Sequence, residues 1–148
     1  DYVTPQSFNL DFQTGVAKNT LLTANFRWTD FSAVDVVPTL LGSDLVNIDD
    51  SYRYSIGVAH RFSDQFAGTV SLSYEEAGNA ATVSPLGPTD GLYGLTVGGR
   101  YSKNNVNISG GLNYTWLGAA NAGVGCQTAA SFGSNSAVGA GLKIEIVF

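Results

Sequence analysis

Seven stretches of this chain alternate apolar and polar residues with a period of two, the pattern of strands with one apolar and one wet face. They run roughly over residues 5–17, 20–34, 50–63, 66–77, 91–103, 106–118 and 135–148. One parity carries Phe8, Leu10, Phe12, Leu22, Ala24, Phe26, Trp28, Tyr54, Ile56, Val58, His60 and Phe62 in the first three stretches. It continues through Phe66, Val70, Leu72, Tyr74, Tyr93, Leu95, Val97 and Tyr101 to Ile108, Leu112, Tyr114, Trp116, Leu142, Ile144, Ile146 and Phe148. The other parity holds Asn9, Asp11, Gln13, Arg27, Arg53, Arg61, Thr69, Glu75, Arg100, Asn107, Asn113, Lys143 and Glu145. Gly and β-branched residues interrupt every helical candidate, so the expected class is all-β.

The connections sort by length. Short polar turns fall near residues 17–19, 63–65 and 103–105, and long Gly-, Pro-, Ser- and Asn-rich loops fall at 37–49, 78–90 and 119–134. Short and long alternate strictly, which puts every short turn at one end of the sheet and every long loop at the other. Outer-membrane barrels have this asymmetry, with short periplasmic turns and long extracellular loops. Composition agrees: 44% of residues are hydrophobic and only 13% charged, against about a quarter charged in soluble domains. No apolar run approaches the about 20 residues of a membrane helix, so the hydrophobicity is hidden in the alternation.

Aromatic spacing points the same way. Tyr54 and Phe62, Phe66 and Tyr74, and Tyr93 and Tyr101 are each eight residues apart on the apolar parity. Eight residues of a strand tilted by about 40° climb roughly 20 Å, close to the ~25 Å apolar band of a transmembrane barrel. The chain ends on an alternating Leu142 to Phe148, which resembles the C-terminal signal read by the barrel-assembly machinery. Long loops are then extracellular, and the C-terminus is periplasmic.

Seven strands cannot close an antiparallel barrel, because the first and last would run in the same direction. An open, lipid-exposed sheet edge is not tolerated in hydrocarbon. The expectation is therefore that residues 1–148 form the C-terminal half of an outer-membrane barrel whose remaining half lies in further chain. A small eight-stranded structural or adhesive barrel without transport is the alternative, and a soluble lipocalin-like carrier is a third reading.

Several stretches resemble the FadL/TodX family of outer-membrane long-chain fatty acid and hydrocarbon transporters. They are the opening Thr4-Pro5-Gln6-Ser7-Phe8-Asn9-Leu10, the hairpin Gly15 to Thr20, and the aromatic strand Phe26-Arg27-Trp28-Thr29-Asp30-Phe31-Ser32. Tyr54 to Val58, the run Val83 to Gly91 leading to Gly99-Arg100-Tyr101, the hairpin Val106 to Trp116 and the closing Asn135 to Phe148 also fit. The resemblance implies a 14-stranded barrel with an N-terminal hatch, of which this chain would supply the last seven strands. It further implies passive uptake of long-chain fatty acids or other hydrophobic compounds, with outer-membrane lipid and lipopolysaccharide as surroundings.

Chemistry narrows the site residues. A net charge of −5 with no Lys/Arg stripe argues against nucleic acid. The single Cys126 allows no internal disulfide and no multi-cysteine metal site. His60, the one histidine, has outward parity and no serine and carboxylate beside it in sequence, so no enzyme, metal or cofactor is expected. Arg100, Arg27, Arg53, Arg61 and Lys143 share the inward parity. They either form a structural charge network with Asp11, Glu75 and Glu145 or hold a ligand carboxylate, for which Arg is suited. The expected heights put Arg53 near the extracellular mouth, Arg27 and Arg100 at intermediate depth, and Arg61 and Lys143 lower down. Arg100, flanked by Gly98 and Gly99, is the first choice for the carboxylate, and Arg27 the second.

Overall fold

A computed structural model describes residues 4–34, 37, 39–40, 42, 49–79, 82–84, 90–124 and 127–147. The seven expected strands are present as β1 (Ser7–Ala17), β2 (Thr20–Thr29), β3 (Ser51–Arg61), β4 (Phe66–Glu75), β5 (Leu92–Lys103), β6 (Val106–Leu117) and β9 (Asn135–Ile146). They form one antiparallel sheet in the order β1-β2-β3-β4-β5-β6-β9. Among the described residues β1 and β9 each pair on one side only, so the sheet has two edges.

Local chemistry sets the short turns. Asn19 and Asn104 adopt positive φ of 60° and 51°, the left-handed conformation that two-residue hairpin turns need and Asn tolerates. In the third short turn, Ser63 Oγ accepts from the backbone N–H of Gln65 and Phe66 at 3.3 and 3.0 Å. β2 stops at Thr29, short of the expected residue 34. There the Asp50 carboxylate accepts the Ser32 N–H at 3.2 Å and Asp30 takes the Ser32 hydroxyl, local bonds that compete with a ladder.

One expectation is corrected. The segment 119–134 is not all loop: β7 (Ala120–Val124) and β8 (Gln127–Phe132) form a separate two-stranded sheet. Val83 bridges to Ala122 alongside it, with the Val83 N–H on Asn121 O at 2.7 Å and the Gly123 N–H on Val83 O at 3.1 Å. This hairpin lies outside the main sheet and does not supply an eighth wall strand. Cys126, Phe148 and most of the first long loop lie outside the described residues.

The register joins like with like. Phe26, Tyr54, Tyr74, Tyr93 and Trp116 are successive cross-strand partners, and Phe66, Tyr101, Ile108 and Ile144 form a second such row. Rings touch along the first row, with centroids 5.2 Å apart for Phe26–Tyr54 and 5.0 Å for Tyr74–Tyr93. The apolar face is uncovered: Leu10 is 58% exposed, Leu112 62% and Leu142 74%. Among the described residues the only buried hydrophobic side chains are Ala120 and Ala122, in the loop hairpin. The surface of 10189 Å² compares with about 7,200 Å² for a compact soluble monomer of this mass. This is one wall, apolar on one side and polar on the other, rather than two layers around a core.

Close approach in that wall yields a test. A Cβ on Gly57 would lie 2.9 Å from both Ser71 Cβ and Thr23 Oγ1, whereas one on Gly141 meets nothing within 4 Å. Gly57→Ala is expected to destabilise the full-length protein by about 1–3 kcal/mol through overpacking, and Gly141→Ala to be near neutral. Urea-unfolding midpoints check this; equal shifts at both positions would show that the register is wrong.

Candidate functional site

Because side chains alternate faces, each cross-strand row on the polar side gathers residues at one level along the strands. One step in from Ser7, Thr29 and Ser51 at the long-loop end, Asn9, Arg27, Arg53 and Glu75 form one row. Two arginines directly opposed repel, and Glu75 offsets one of them: its Oε2 accepts from Arg53 Nε at 2.8 Å and Nη2 at 2.7 Å. Arg27 instead donates from Nε to Thr29 Oγ1 at 3.4 Å.

Uncharged rows follow toward the short turns, apart from Asp11 on the edge strand. Asp11 accepts the Asn25 amide at 2.7 Å rather than meeting a cation. Asn113 donates to Thr96 Oγ1 at 2.8 Å and accepts from Thr115 Oγ1 at 2.8 Å, so hydroxyls and amides satisfy one another along the wall. The next row is Leu21, Ala59, Thr69, Gly98, Gly111 and Gly141. Its three glycines leave a hollow of 530 Å³, bordered by Arg100, Ser109 and Lys143.

The row after that contains Arg61, Ala67, Arg100, Ser109 and Lys143. The register shows which candidates share a level along the strands. Arg27 is level with Arg53 at the long-loop end, and Arg100 is level with Arg61 and Lys143 at the short-turn end. The five candidates therefore form two groups eight residues apart along β3, or roughly 20 Å along the axis of a tilted strand. Lys143 is neutralised by Glu145 at 2.7 Å. Arg61 and Arg100 form no ion pair among the described residues: Arg61 Nη2 donates to Asn19 Oδ1 at 3.2 Å and Arg100 Nε to Ser102 Oγ at 3.2 Å, with Glu145 in electrostatic reach of Arg100. His60, on the opposite face, hydrogen-bonds Thr20 Oγ1 at 2.8 Å and meets Phe62 edge-on with centroids 4.8 Å apart.

Sequence reasoning missed a knot of carboxylates at the strand-to-loop junctions. Asp50 accepts from Trp28 Nε1 at 3.1 Å as well as from Ser32. Asp90 accepts the Gly78 N–H at 2.6 Å and Asp49 the Asn79 N–H at 2.5 Å. These bonds join residues 12 to 30 apart in sequence, a pairing that no local pattern signals.

With the wall described, its likeness to known proteins can be stated. No protein-family model matches the chain, and no curated protein matches it in sequence. The fold superposes on the crystal structure of a Pseudomonas aeruginosa FadL homologue with a TM-score of 0.65 over 95% of this chain, at 14% identity. The fold is that of a partial FadL-type barrel wall. The chain spans about a third of that protein, 34% of its length.

The Asp50 contacts predict a pH dependence. The Ser32 N–H, then the Ser32 hydroxyl and the Trp28 indole, hold the Asp50 carboxyl below its ordinary value. A depressed carboxylate pKa adds stability that is present above the unfolded value and lost as pH falls through the folded one, here below pH ~4. In a Trp116→Phe background, Trp28 fluorescence should change in that acid range, and Asp50→Asn should abolish the transition. A transition that survives Asp50→Asn would assign it to another group.

Proposed function

We propose that this chain is part of an outer-membrane transporter for passive uptake of long-chain fatty acids or other hydrophobic compounds. Its polar face lines the lumen, and its apolar face meets outer-membrane lipid and lipopolysaccharide. The observation that carries the reading is the hollow on the polar face, floored by Gly98, Gly111 and Gly141 and bordered by Arg100. It offers room for an acyl chain, and the guanidinium at its edge suits a carboxylate. Uncovered leucines between two aromatic rows, on a wall superposing on a FadL homologue, support the membrane setting.

In this reading the long loops are extracellular and the C-terminus periplasmic. Further strands of the barrel complete the lumen. No catalysis, metal or cofactor is invoked: downhill passage of a hydrophobic solute needs a path and a place for its head group. The reading of a structural or adhesive barrel without transport differs in its consequence, since it gives the hollow and Arg100 no ligand.

Two measurements test this function. In the full-length protein, Arg100→Ala should leave folding and surface expression intact while weakening fatty acid binding by about ten- to hundredfold, the worth of a charge-assisted contact of about 1.5–3 kcal/mol. Uptake of an uncharged hydrocarbon of similar length should barely change; equal losses for both substrates would make Arg100 structural. Separately, Leu112→Arg or Val97→Arg should cost about 2–4 kcal/mol in a lipid-folding assay, as mid-membrane charges do. Asn113→Arg or Thr96→Arg should be much milder, and equal damage at both parities would refute the facing.

A further inference from the structure

We propose that Arg61 and Arg100 act together as a two-armed clamp for the phosphate-monoester head of a single-chain amphiphile, held above Ala67. The inference rests on the transport reading and narrows the ligand within it.

Register brings the two arms together. Arg61 on β3 and Arg100 on β5 are the two cross-strand partners of Ala67 on β4. Their backbones stand two strand spacings apart, about 9.6 Å, on the same face. Ala67 contributes only a methyl group between them, so two long side chains can lean over it toward a shared ligand. Both line one polar hollow of 250 Å³ with Ser63, Gln65 and Ser102.

Charge sets the ligand. Arg53 and Lys143 spend their charge on Glu75 and Glu145 at 2.7 Å. Among the described residues Arg61 and Arg100 form no ion pair and donate to the neutral oxygens of Asn19 and Ser102, with the Glu145 carboxylate, already paired to Lys143, within electrostatic reach of Arg100. Asp64 borders the same hollow and forms no ion pair with either. Two positive charges thus flank one small gap. A carboxylate offers one negative charge and two oxygens. A phosphate monoester offers about −1.5 to −2 at pH 7 and three acceptor oxygens, enough to give each planar fork its own edge.

Shape sets the rest of the molecule. Arg100 and Ala67 border the polar hollow on one side and the glycine-floored hollow on the other. A head group seated between the arginines therefore has an apolar tail path leading away over Gly98 and Gly111, toward the long-loop end. Free phosphate would fill only the first hollow.

The test uses the full-length protein in lipid nanodiscs at pH 7.5, with empty nanodiscs as blank. Dodecyl phosphate, dodecanoate and inorganic phosphate are the probes. Dodecyl phosphate should bind at least about tenfold more tightly than dodecanoate, and inorganic phosphate far more weakly than either. Arg61→Gln and Arg100→Gln should each bring dodecyl phosphate to about the affinity of dodecanoate. Ala67→Leu, which keeps both charges and obstructs the gap, should remove the phosphate preference while dodecanoate still binds, and it serves if an arginine variant fails to fold. Equal affinity of the two amphiphiles for the unmodified protein overturns the clamp, as does a phosphate preference that survives Arg61→Gln or Ala67→Leu. Inorganic phosphate binding as tightly as dodecyl phosphate would mean a free-anion site and overturns the amphiphile. Any of these results leaves the transport reading standing if fatty acid and alkane uptake persist. Absence of uptake for both would defeat the transport reading itself.

Discussion

Everything in the main sheet depends on an antiparallel hydrogen-bond ladder that keeps one parity of side chain on one face across seven strands, with a register shift only between Gly15 and Ala17 at the end of β1 among the described residues. A slip of a single residue in any strand would move its apolar set among the serines and its charges among the leucines. The register prevents this by matching rows. Leu10 opposes Phe26, Ala24 opposes Ile56, and Val70 opposes Val97, while Asp11 opposes Asn25 and Ser55 opposes Ser73. Such a ladder also satisfies backbone donors and acceptors within the wall, which a sheet in an apolar surround requires because no water is there to pair with them.

Given that ladder, function is a matter of which residues share a row. The polar face is wet but almost uncharged through its middle, where Thr96, Asn113 and Thr115 bond one another. Cations gather at both ends, and the structure separates them by what they touch rather than by where they point. Arg53 and Lys143 each form an ion pair within the wall, while Arg61 and Arg100 donate to neutral oxygens. One parity therefore contains both ion-paired and neutrally bonded cations.

Strand number, order and facing were legible in the sequence because each rests on a local signal: two-residue alternation, turn length and Asn at the tight turns. Which arginines share a row was not read from the sequence, although part of that information was present. Counting four residues out from each side of the turn at Asn104-Asn105 pairs Arg100 with Ser109, in one row with Lys143. Depth follows from register, and register follows from turn geometry rather than from distance along a strand. The hairpin β7–β8 was invisible for a different reason. Its segment Ala120–Phe132 is rich in Ala and Gly, lacks alternating bulk, and is held by bridging to Val83, nearly 40 residues earlier. The carboxylate knot around Asp50 likewise depends on contacts that exist only once the strands are paired.

The same ladder restricts what can complete the wall. In a seven-stranded antiparallel sheet, β1 and β9 run in the same direction. Two such sheets related by rotation about the barrel axis would bring β9 beside β1 in parallel, breaking the alternation that every observed pair obeys. Rotation about an axis in the membrane plane would restore antiparallel pairing but place long loops and short turns at both ends. A closed, wholly antiparallel barrel with one sidedness therefore needs an odd number of further strands between β9 and β1, different in sequence from these. That geometry accords with a chain that covers 34% of a FadL homologue. Arg61, Ala67 and Arg100 lie on β3 to β5, the central strands of the sheet and the farthest from both seams. The arrangement of these three residues is therefore set by this wall's own register, whatever strands complete the sheet.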